Sequence, residues 1–126
     1  MNRALFAILS LAAVLVAAPA AFAHEAAKGK NGGTRVDAGD KYHAELVVDG
    51  TPAVAVFLSD ADDKPIPSAG FKANAILVID GKSQRFELVP AEGSKLTGTA
   101  PAAVKAGVKG AIRITAPDGT TAQAKY

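Results

Sequence analysis

Tyr42-His43-Ala44-Glu45-Leu46-Val47-Val48-Asp49-Gly50-Thr51-Pro52-Ala53-Val54-Ala55-Val56-Phe57-Leu58-Ser59 is the stretch on which the fold turns. Tyr42, Ala44, Leu46 and Val48 recur at every second position before Asp49-Gly50. Val54, Val56 and Leu58 do the same after it. A period of two places each set on one face of an extended strand. A helix would bring apolar residues back at three and four, and no long window does so. Asp-Gly between the two runs supplies the positive φ values that a tight hairpin turn needs. The reading is two antiparallel strands, 42–49 and 53–59.

Working outward, the same grammar repeats. Strands are expected at 34–37, 71–80, 84–89, 95–99, 111–116 and 121–125. The run Ala75-Ile76-Leu77-Val78-Ile79 is apolar on both faces and reads as a central strand. Phe86 and Leu88, Ile112 and Ile114, and Ala122 and Ala124 are the inward residues of their strands. Asp80-Gly81 and Asp118-Gly119 repeat the turn signal. Asp60 to Pro67 is polar and holds two prolines, so it is a loop between sheets. Residues 101–110 read as a loop or one helical turn. Seven or eight short antiparallel strands in about 90 residues point to an all-β, immunoglobulin-like sandwich, with a small barrel as the alternative. The Cys–Trp–Cys core of true immunoglobulin domains is absent, so the architecture implies no function.

The N-terminus has a different character. Arg3 precedes an apolar run, 4–18, broken only by Ser10. Pro19 follows, then Ala21-Phe22-Ala23. A basic start, an apolar run and an A-x-A site form a secretory signal peptide, too short for a stable membrane span. The expected organisation is a signal peptide at 1–23, a flexible Gly-rich leader at 24–33 and one β domain at 34–126. Cleavage after Ala23 leaves 13 basic and 12 acidic residues. These charges are interspersed, with no basic stripe, so nucleic acid is not an expected partner. The chain has no cysteine. That excludes a disulfide scaffold, a thiolate metal site, a cysteine nucleophile and a lipidated cysteine anchor. The expected location is the bacterial periplasm.

No enzyme signature is present. There is no G-x-S-x-G, P-loop or dinucleotide fingerprint, and His43 is the only histidine within the expected fold. Asp60, Asp62 and Asp63 begin like a calcium loop, but Pro65 and Phe71 stand where that loop needs Gly and Glu. They read as a solvated loop with Asx turns. Histidine placement is the sharper signal. Cleavage after Ala23 makes His24 the first residue, offering an amine and an imidazole nitrogen to one ion, a donor set suited to Cu(II). His43 points to solvent from its strand, and Glu45 follows on the same face about 7 Å away. The expected metal ligands are His24, His43 and Glu45, with Asp40 or Asp49 as further oxygen donors.

Asn31-Gly32-Gly33, Asp37-Ala38-Gly39-Asp40 and Tyr42-His43-Ala44-Glu45-Leu46-Val47 resemble segments of small exported bacterial proteins. These are similar to a module near the N-terminus of periplasmic adaptor subunits of heavy-metal efflux pumps of the resistance-nodulation-division type. Asp60 to Pro65 and Gly93-Ser94-Lys95-Leu96-Thr97-Gly98 fit later elements of that pattern. The resemblance spans most of 31–126. In that family His often precedes the Gly-Gly, where Asn31 stands here. A looser likeness is to small periplasmic copper-resistance proteins, whose mature chain also starts with His. These resemblances imply a periplasmic domain tied to metal handling and a partner in an efflux or envelope assembly. The functional expectation is a periplasmic protein that binds copper or another transition metal. The alternative is a metal-free protein–protein interaction module.

Overall fold

The computed structural model describes residues 26–126. The expected signal peptide at 1–23 and His24 lie outside the described residues. Nine strands follow one another: β1 Ala27–Lys28, β2 Thr34–Ala38, β3 Tyr42–Val48, β4 Ala53–Asp60, β5 Lys72–Ile79, β6 Lys82–Pro90, β7 Lys95–Thr99, β8 Lys109–Thr115 and β9 Thr121–Lys125. All pairings are antiparallel. No helix occurs among the described residues, so 101–110 is a loop.

The strand order is β2-β3-β4-β7-β6-β5-β8-β9, and β9 pairs back on β2. Hydrogen bonding therefore runs around eight strands and closes into a barrel. This corrects the immunoglobulin-like sandwich, in which it would stop at the edges of two sheets. Strand count and turn spacing are the same for both. What separates them is whether the outermost strands meet, and that is a long-range property. The closure is uneven. β2, β3, β4 and β7 pair along most of their length, as do β6, β5, β8 and β9. The two groups join only through Val89–Thr97 and Pro90–Leu96 on one side and Ala38–Ala124 on the other.

The alternation read from the sequence fills the interior. Val54, Val56 and Leu58 of β4, Leu77 of β5, Leu88 of β6, Leu96 of β7 and Ile112 and Ile114 of β8 are buried. β5 is central, paired with both β6 and β8. Its outer face is nevertheless bare, with Ile76 39% and Val78 45% exposed. Only one of the three Asp-Gly pairs makes a two-residue turn. Asp80 and Gly81 have φ of 51° and 76° between the paired Ile79 and Lys82. Those values define the primed turn that matches strand twist. Asp49 and Asp118 sit in longer turns, where each Oδ1 accepts the N–H and O–H of the threonine two residues on.

Two connections cross the barrel ends. The β4–β5 loop is anchored by buried Ser68, whose hydroxyl reaches the carbonyls of Ala91 and Gly93. The β7–β8 loop sinks Val104 into the core and pairs its backbone with Gly50 and Thr51. Residues 27–33 fall within the stretch expected as a flexible leader. Ala27 and Lys28 pair with Arg35 and Thr34, and residues 29–33 fold as a turn over β3.

Candidate functional site

The polar residues singled out by the sequence meet on the outer face of β2 and β3. Alternation sends Tyr42, Ala44 and Leu46 inward and leaves His43 and Glu45 outward. Val36 and Ala38 of β2 are buried, so Asp37 and Arg35 also face outward. The register sets Asp37 opposite His43 and Arg35 opposite Glu45. Directly opposed residues hold their Cβ atoms about 5 Å apart.

Glu45 is only 5% exposed. Its two carboxylate oxygens accept the Asn31 N–H at 2.9 Å, the Asn31 side-chain amide at 3.0 Å and the Gly33 N–H at 2.8 Å. The turn reaches this depth because Gly29 and Gly33 have no side chain. A Cβ at Gly29 would overlap the Glu45 carboxyl group, and one at Gly33 the Leu46 carbonyl oxygen. Asn31-Gly32-Gly33 and Tyr42 to Val47, separate in sequence, are thus one unit, with Glu45 gripping the arm.

His43 lies in a different set of contacts. Its Nδ1 is 2.9 Å from Asp63 Oδ1 and its Nε2 is 3.1 Å from Asp37 Oδ1. The Asp63 carboxylate is an acceptor, so Nδ1 donates its N–H to it. Nε2 is then the lone-pair nitrogen of the neutral ring, and it donates to Asp37 only in the protonated ring. Asp63 belongs to the β4–β5 loop and has a left-handed φ of 62°. Arg35 approaches the same Oδ1 at 2.6 Å, and Lys30 donates to the Asp63 carbonyl. The His43 hydrogen bond, and secondarily Arg35, hold the Asp63 carboxyl below the usual range. Asp60 caps its own loop, its Oδ1 accepting the N–H groups of Asp62 and Lys64. The aspartate loop is thus built on an Asx turn, and its Asp63 is committed to His43 and Arg35.

His43 and Glu45, expected to meet on one ion, have no polar partner in common. Glu45 spends its acceptors on the arm. Among the described residues, no three His, Asp or Glu side chains converge on a common point. Asp49 is taken up by its own turn. Asp40 lines a cleft of about 340 Å³ together with Asp37, Lys41 and His43. The sequence reading missed Asp37 and Asp63. Asp37 was accessible from hairpin register, since a three-residue loop from Ala38 to Tyr42 sets it opposite His43. No local signal brings Asp63 there.

Comparison with protein-family models, with characterised proteins and with solved structures finds no match to this chain. The functional reading therefore rests on the residues themselves. Among the described residues, no helix is long and apolar enough to cross a membrane.

Proposed function

We propose that this is an exported periplasmic binding protein, not an enzyme, that takes up a divalent transition metal, Cu(II) first, in an efflux or resistance setting. One observation carries the reading. His43 sits on a rigid strand at a partly exposed face, its Nδ1 fixed by Asp63 and its Nε2 beside a cleft. Metal-binding imidazoles characteristically donate the distal ring N–H to a carboxylate, which sets tautomer and orientation. His24, brought to the chain start by signal-peptide removal, supplies amine and imidazole nitrogens in this reading. The efflux setting rests on the resemblance of Asn31 to Gly33 and Tyr42 to Val47. The test is intact mass of the exported protein, then Cu(II) titration of that sample. A chain starting at His24, binding one Cu(II) and weakened at least tenfold by His43→Ala, supports the proposal. Equal binding by wild type and His43→Ala rejects it.

The second reading is a metal-free interaction module docking on an envelope or efflux component. The apolar outer residues Ile76, Val78 and Val89 favour it. A partner captured equally with and without a chelator, and lost in Ile76→Ser/Val78→Ser, would select it.

A further inference from the structure

The metal reading names His43 but leaves its oxygen partner open, since the carboxylate of Glu45 is engaged elsewhere. Across the β2–β3 pair, Asp37 Oδ1 stands 3.1 Å from His43 Nε2. With metal–ligand distances of about 2.0–2.2 Å, adjacent ligands of one ion are about 2.8–3.5 Å apart. The observed spacing falls inside that range. The two residues are directly opposed in a ladder that continues on both sides of them, so the pair is held by backbone pairing.

We propose that His43 Nε2 and Asp37 Oδ1 are adjacent ligands of one divalent transition-metal ion, with Asp63 as the positioning residue for the imidazole. This rests on the metal-binding reading above and specifies its ligands. Two features fit an imidazole–carboxylate pair for Cu(II) or Zn(II). Asp37 and His43 are 32% and 19% exposed at their side chains, which leaves them reachable. The cleft they line with Asp40 gives an ion a path and room for water ligands. Nε2 binds the ion through its lone pair, and any proton held there passes to water.

The experiment is CuSO4 titration of the exported full chain and four variants, with circular dichroism confirming each fold. His43→Ala and Asp37→Asn are expected to weaken binding at least tenfold, and Glu45→Gln to leave it within twofold. Asp63→Asn, acting through the ring, is expected to weaken it about 10–100-fold and to change the His43 tautomer pattern in 15N spectra of the metal-free protein. A merely structural Asp63 would leave that pattern unchanged. If Asp37→Asn binds like wild type while His43→Ala does not, the Asp37 assignment fails and the metal reading survives. If His43→Ala also binds like wild type, both fail. If Glu45→Gln alone loses binding with its fold intact, Glu45 is the oxygen ligand and this inference is overturned. A wild-type measurement guards against misfolded variants. Substoichiometric Cu(II) should broaden the resonances of Asp37 and His43 first, and broadening centred on Asn31 to Gly33 would overturn the assignment.

Discussion

β3 and β5 are both central strands with the same inward alternation, yet their outer faces are treated in opposite ways. β3 carries the polar His43 and Glu45 outward, with Glu45 buried and His43 partly covered. β5 carries the apolar Ile76 and Val78 outward, and both are largely bare. Hydropathy alone predicts the reverse. Cover follows from what can be anchored. Over β3, a carboxylate grips a turn whose glycines permit close approach, and an imidazole–aspartate contact holds a loop. Among the described residues, no arm or loop is anchored over β5 in the same way, and Ile76 and Val78 stay exposed.

The most forceful way to break this comparison is inside β5. Leu77→Ala should destabilise the protein by about 2–5 kcal/mol, while Ile76→Ala, one residue away, should cost under about 1 kcal/mol. Urea unfolding of the two variants checks it, and similar losses would mean that the outer face of β5 is covered after all. Next is Glu45→Ala, which strands the N–H groups of Asn31 and Gly33 at a loss of about 1–3 kcal/mol. Amide exchange should rise at those two positions and stay unchanged on β5. If it does not, Glu45 is not what covers β3.

At the far end of β5, Gly81→Ala should cost about 1–2 kcal/mol, because an L-residue enters the left-handed region there. Its thermal midpoint would show whether the bare side depends on local turn chemistry. The smallest effect concerns acid. Asp49 and Asp118 have carboxyls held low, first by the side-chain hydrogen bond from Thr51 or Thr120. Their contribution is complete above the unfolded value near 3.9 and is lost as pH falls through the lower folded value. Melting temperature should therefore fall slightly less between pH 5 and pH 2 in Asp118→Ala than in wild type, and likewise in Asp49→Ala. A steeper fall in only one variant would show that the two turns are not equivalent.

Much of the barrel wall was legible because period-two alternation is local and strong. Tyr42 to Val48, Ala53 to Asp60 and Thr121 to Lys125 form strands within a residue or so of their expected bounds. Ala75 to Ile79 was correctly central, and its outward Ile76 and Val78 are exposed. Closure was not legible, because the contact between Ala38 and Ala124 depends on how strands far apart in sequence curve together. The site was half legible. His43 was found as a lone polar residue on an outer face, and its opposite number Asp37 follows from register. Glu45 looked like a ligand because a carboxylate two positions from a histidine is all that spacing can show. The hydrogen-bond partners that spacing does not show lie twelve and fourteen residues back, in a turn that composition alone reads as flexible.

The uneven closure of the ring has a mechanical consequence. Two well-stitched half-shells meet at a parting line held by Ala38–Ala124 on one side and by Val89–Thr97 with Pro90–Leu96 on the other. Thermal opening will start at the single stitch, freeing one rim of β2 and one of β9 while each half keeps its internal ladder. Rims exposed in this way are complementary to those of another opened molecule, so at high concentration the parting line is where strand exchange between copies begins.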